Sequence, residues 1–194
     1  FKQNRHVIFT GNGYSAEWPQ EAARRGLPNL NTTPKAFATF ASDKNKATFE
    51  ALKIFANDET QARAEVMFEN YITTIRVEAE TLIHMMDTGI IPACAKDLEK
   101  YGSNAAPLMG DRKALYESIK AETDKLKAAM SKQPGSDGHP GASVSLQDEA
   151  TYLCNVVKAH MDSLRALVDK AEGLLEKGLY PYPSYETLLY SHHH

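Results

Sequence analysis

Residues 57–86 read NDETQARAEVMFENYITTIRVEAETLIHMM, and within them Phe68, Ile72, Ile75, Ala79, Leu82 and Met86 recur at steps of 4, 3, 4, 3 and 4. Steps that average about 3.5 place all six side chains on one face of a helix. Asn57 or Asp58 opens it, since a short polar side chain at that point can bond the first free N–H groups. A second stripe begins where Ser145 is followed by Asp148. Ala150, Leu153, Val157, His160, Leu164, Leu167, Ala171 and Leu174 follow at steps of 3, 4, 3, 4, 3, 4 and 3. Cys154, Met161, Val168 and Leu175 widen it, as a helix touching several neighbours requires, and Gly178 ends it. Between the two, Asp111 precedes a helix to about residue 132 with Leu115, Ile119, Glu122, Leu126 and Ala129 along one side. The link 133–144 (QPGSDGHPGASV) is rich in Gly and Pro, flexible and short, so the helices it joins are expected to run antiparallel. The predicted fold is mainly α: an antiparallel helical bundle with two long central helices, and an interior that is hydrocarbon along both.

Shorter elements surround this frame. The run RHVIFT (5–10), closed by Gly11-Asn12-Gly13, reads as a strand or short extended segment at the N-terminus. Ser15 is expected to cap a helix over 16–25, with Glu17 in its first turn, Arg24 and Arg25 in its last, and Gly26 ending it. Thr33-Pro34 starts a helical stretch to Phe40, and Asp43 caps another over 44–55. Thr88-Gly89 and Pro92 should interrupt or kink the first long helix, which resumes over 90–101. Gly102, Ser103, Asn104 and Pro107 make a loop. The tail LYPYPSY (179–185) is extended and aromatic and should lie across the bundle. In domain terms, 1–42 is an extended segment with short helices, 43–190 is the bundle domain with a flexible loop at 133–144, and 191–194 reads as a tag remnant.

The 194 residues suit one domain, and a chain of this length buries roughly 70% of the surface its unfolded form exposes. A net charge of −3 provides no footprint for nucleic acid or an anionic membrane, and no apolar run approaches the ~18 residues a bilayer span needs. Phe1-Lys2-Gln3-Asn4 has neither an initiator Met nor a signal-peptide pattern and reads as a cut inside a longer polypeptide. Cys94 and Cys154 fall in helical patterns and read as reduced thiols of a cytoplasmic protein.

Little in the pattern suggests chemistry. The run 9–15 (FTGNGYS) resembles a phosphate loop, but it lacks the Gly-Lys-Ser/Thr of a P-loop and the third glycine of a dinucleotide fingerprint, so a structural turn is preferred. Glu80, His84 and Asp87 could be read as metal ligands. No Glu-x-x-His pair accompanies them, and a solvated polar edge is the plainer reading. His160, alone on an apolar face, is expected to be hydrogen-bonded to a carbonyl or side chain rather than to act as a ligand or base. His6, His84 and His139 offer no better case, and His192–His194 are set aside with the tag.

The stretch 6–18 (HVIFTGNGYSAEW), followed by EAARRGLPNLNTTP at 21–34, resembles a phrase of type III glutamine synthetases. The likeness continues through Phe68-Glu69-Asn70-Tyr71, Ile91-Pro92-Ala93 and Met161-Asp162-Ser163-Leu164-Arg165 to the ending YPYPSYETLLY at 180–190. The resemblance implies a parent ligase joining ammonia to glutamate with ATP and Mg or Mn, within a cytoplasmic homo-oligomer. In that family the metal, phosphate and nucleotide motifs lie N-terminal to this phrase, in a catalytic barrel. No catalytic, cofactor-binding or metal residue is therefore carried over. The expected partner of the segment is the catalytic domain of the parent chain, and its expected role is structural. The alternative is a stand-alone helical protein–protein interaction module.

Overall fold

A computed structural model describes residues 2–102, 105–134, 144–183 and 185–190, so most of the expected flexible link, His139 and residues 191–194 lie outside the described residues. The chain is mainly α. The elements are α1 (Trp18–Arg24), α2 (Thr33–Phe40), α3 (Asp43–Ala51), α4 (Asn57–Met85), α5 (Ile91–Glu99), α6 (Arg112–Ser131), α7 (Leu146–Tyr152), α8 (Lys158–Glu172) and α9 (Tyr185–Tyr190). No strand is formed among the described residues. The N-terminal strand or extended segment is therefore corrected: Lys2–Val7 is a 3-10 turn, followed by irregular chain. With no neighbouring strand to complete a ladder, local i→i+3 bonds such as Ile8 N–H to the Arg5 carbonyl satisfy the backbone.

The direction of packing follows from which residues meet. Along α6 and the last helices, Arg112 reaches the Leu174 carbonyl, Glu122 meets His160, Ala129 accepts from Tyr152, and Gln133 meets Glu149. One partner climbs as the other falls, so the two run antiparallel. Asp87 with Lys127 and Asp97 with Tyr116 place α4–α5 antiparallel to α6 in the same way. Arg76 meets Glu149, and Val77 and Met85 line a groove with Met161 and Arg165, so α4 runs parallel to α7–α8. Phe68, Ile72, Ile75, Ala79, Ile119, Leu126, Leu153, Val157 and Leu164 form the buried seam. Each fully buried aliphatic there contributes on the order of 1.5–3 kcal/mol.

Both long helices are interrupted by a single wide turn. At Met86–Ile90 the Ile91 N–H bonds the Met86 carbonyl, an i→i+5 closure. Pro92 explains it: in α register its ring would meet the Thr88 carbonyl and offer that oxygen no N–H. The extra residue in the turn relieves both, and the helix continues as α5. A second π-turn at Leu153–Val157 has no proline or glycine to announce it. The buried positions after it, Leu164, Val168, Ala171 and Leu175, keep to the expected stripe and its widened edge, while Leu174, expected on the stripe, is exposed.

Two short helices end in the same way for different reasons. After α1, Leu27 N–H bonds the Ala22 carbonyl and Gly26 N–H the Ala23 carbonyl, with Gly26 at φ 72°. After α3, Ile54 bonds Phe49 and Lys53 bonds Glu50, but the left-handed residue is Lys53, at φ 55°. Both are Schellman caps. Helix α3 is accordingly shorter than the expected 44–55, and Phe55 instead packs edge-on against Phe49. Ser15 does not cap α1. Its hydroxyl donates to the Asn12 carbonyl, and the N-cap position belongs to Glu17. At α4 the Ala56 N–H is accepted by the Glu59 carboxylate, which is half of a capping box, because Ala56 has no side-chain acceptor to complete it.

Candidate functional site

The interior is not wholly hydrocarbon, which corrects the expectation from the stripes. Among the described residues three buried carboxylates mark the helix interfaces, one at each end and one in the middle. Asp97, on the inner face of α5, accepts the Tyr116 hydroxyl at 2.8 Å. Arg112 Nε lies 3.4 Å from the same carboxylate as a charge contact, without hydrogen-bond alignment; it is the one buried side-chain polar atom among the described residues left without a hydrogen bond. The rest of that guanidinium donates to the carbonyls of Met109 and Leu174 and lies over the Tyr101 ring. Burial, followed by the Asp97 hydrogen bond, raises the Tyr116 hydroxyl well above the usual phenol range.

In the middle, Glu122 of α6 meets His160 Nδ1 at 2.7 Å and Lys125 Nζ at 3.0 Å. Burial pushes this carboxyl up, but the hydrogen bonds from His160 and Lys125 outweigh it and hold the group below its ordinary value. His160 is thus bonded to a partner side chain, as expected. At the other end, Glu149 meets Arg76 at 2.6 Å and accepts from Gln133 at 3.3 Å. Asp97, Glu149 and Arg76 did not stand out in the sequence. Glu122 did stand on the α6 stripe, and a carboxylate at a core position is a legible request for a cation, as His160 opposite is for a partner.

The other candidates separate. Glu80, His84 and Asp87 are exposed, with Asp87 engaged by Lys127 at 2.7 Å. They form a solvated edge. In the glycine-rich turn the Asn12 side chain accepts Tyr14 N–H and the Asn12 carbonyl accepts Ser15 N–H, so two N–H groups a phosphate would need are already used. Phe9 packs on Trp18 with centroids 4.5 Å apart and under the Arg25 guanidinium. His6 lies in the 3-10 turn. Cys94 is buried, and burial, then the Asp97 charge, pushes its thiol up to about 11. Cys154 is half-buried beside Tyr71, whose hydroxyl is raised by burial and then by the Cys154 contact.

Among the described residues no three acids, histidines or cysteines converge as a metal would require. The donor set does not suit ATP-bound magnesium or manganese either, because each buried carboxylate already faces an arginine, a lysine or a histidine. No helix is long and apolar enough to cross a membrane. Fold and polar nodes together define a helical domain whose charged interior groups join helices to one another. Comparison with known proteins makes this specific. The family model for the glutamine synthetase C-terminal domain matches residues 1–107. A glutamine synthetase of Butyrivibrio fibrisolvens is 34% identical over 97% of this chain and 28% of its own length. The type-3 glutamine synthetase of Dictyostelium discoideum is 30% identical over 97% of this chain and 27% of its own. The chain belongs to the glutamine synthetase C-terminal domain family, and it spans little more than a quarter of the curated relatives it matches.

Proposed function

We propose that this chain serves as the C-terminal helical domain of a type III glutamine synthetase, in which it has a structural role. It packs against the catalytic domain of the parent chain and shapes contacts between subunits of a cytoplasmic homo-oligomer. The parent reaction is the ATP-dependent condensation of ammonia with glutamate, with Mg or Mn bound outside this segment. One observation supports the reading: among the described residues each buried carboxylate is engaged from a neighbouring segment, Asp97 by Tyr116 and Arg112, Glu122 by His160 (with Lys125 of its own helix), and Glu149 by Arg76 and Gln133. None is left to bind a nucleotide or to move a proton. An apolar groove of about 640 Å³, lined by Phe40, Phe55, Val66 and Met67 beside exposed Leu52 and Ile54, adds surface that a larger assembly would cover.

The purified chain, supplied with glutamate, ammonia, ATP and magnesium, is expected to form no glutamine. Turnover above a no-protein control, abolished by a glutamine synthetase inhibitor, would overturn the scaffold role. Added to the separately expressed N-terminal remainder of a relative, the chain should co-sediment with it and raise its activity. Failure to do either favours the stand-alone interaction module.

A further inference from the structure

A glycine inside a helical segment weakens it unless something needs the space its side chain would fill. Gly89 is buried in the π-turn Met86–Ile90, and a Cβ built on it would fall 2.6 Å from the Tyr182 hydroxyl and 3.0 Å from the Pro181 ring. The first is closer than a Cβ contact can be, so the Tyr182 ring would have to shift, and the second is tight. The same hydroxyl donates to the Met85 carbonyl at 3.0 Å, at the point where the wide turn opens the helical ladder. Tyr182 stacks edge-on with Tyr180, whose ring lies beside Glu172, Arg165 and Asp169 of α8. Both rings pack on the core. The chain at 180–183 thus crosses from α8 to the break in α4, and α9 follows with Leu188, Leu189 and Tyr190 exposed.

We propose that residues 180–183 and the π-turn form a latch: Gly89 is the opening that admits Tyr182, and the seated strap is what anchors the C-terminal helix to the bundle. Pro92 makes the turn wide, and the glycine beside it lets an aromatic hydroxyl reach the Met85 carbonyl. Released, the strap and α9 would leave together while the seam of α4, α6 and α8 stays intact. The latch is a conformational device, one that sets whether the apolar end of the chain is held or offered.

Amide hydrogen exchange on the whole chain, read by mass spectrometry, tests this. In Gly89→Ala the amides of 180–190 should exchange at least about tenfold faster, since the added methyl displaces the Tyr182 hydroxyl from its seat. In Tyr182→Phe, which removes one hydrogen bond and no packing, the same amides should exchange about two- to tenfold faster. Peptides from α6 should be unchanged in both. Unchanged exchange over 180–190 in Gly89→Ala, or faster exchange spread evenly through α4 and α6, would overturn the latch. If Gly89→Ala fails to fold, Tyr182→Phe decides by the same readout: unchanged tail exchange overturns the latch and selective acceleration upholds it.

Discussion

Replacing Asp97 with alanine should be among the most damaging single changes in this protein, although it removes only a small polar side chain. Its carboxylate is almost wholly enclosed, accepts the Tyr116 hydroxyl at 2.8 Å and faces Arg112 Nε at 3.4 Å. Two groups lose their partner at once. A buried hydroxyl left without an acceptor costs about 1–3 kcal/mol. An unpaired buried cation would cost more, but the Arg112 side chain is 21% exposed and keeps its bonds to the carbonyls of Met109 and Leu174, so the charge part is discounted. The expected loss is about 3 kcal/mol, or about 6–12 °C in Tm for a chain of this size. Asp97→Asn keeps an acceptor for Tyr116 and should lose about 1–2 kcal/mol. Tyr116→Phe on its own should lose about 1 kcal/mol. The decisive comparison is the double variant, Asp97→Ala with Tyr116→Phe. Removing the stranded hydroxyl should restore about 1 kcal/mol relative to Asp97→Ala, so the two changes are not additive. Urea unfolding followed by circular dichroism at 222 nm, with equal m values, measures all four. An Asp97→Ala protein within about 0.5 kcal/mol of the parent, or strict additivity in the double variant, would refute the reasoning.

Three further outcomes are expected. Glu122 is held below its ordinary value in the folded chain, so its contribution is complete above the unfolded pKa of about 4.3 and is lost as pH falls through the lower folded value. Glu122→Gln should therefore flatten the stability–pH curve below about pH 4.5, as seen in urea melts across that range. Lys53→Gly should stabilise the protein by about 0.5–1 kcal/mol, because the left-handed position after α3 then carries no Cβ; a lower urea midpoint would contradict this. Finally, with its thiol raised to about 11, Cys94 should react with a disulfide reagent at pH 8 roughly 200-fold more slowly than a free cysteine. Rapid labelling of Cys94 without unfolding would show that its site is open.

Helix type and the core face of α4 were legible because period alone carries them: Phe68, Ile72, Ile75, Ala79 and Met86 are all buried. The strand over 5–10 was not, because a short apolar run is compatible with strand or turn, and the absence of a pairing neighbour decides between them. Gly26 announced its Schellman cap, while Lys53 could not, since nothing in a lysine codes for a left-handed backbone. Pro92 and Gly89 marked a break in the first long helix, but that Tyr182 would pack against it was decided by the tertiary structure.

Taken alone, the order of residues determined that the chain is mainly helical, which face of α4 is apolar, and which family phrase the chain carries, because each is written in neighbours a few positions apart. Pairings between residues tens of positions apart were decided by the tertiary structure. Asp97 finds Tyr116 and Arg112, Glu122 finds His160, and Glu149 finds Arg76 only once the helices lie side by side. A carboxylate's role depends on the charges that surround it in space, and local sequence periodicity does not specify those.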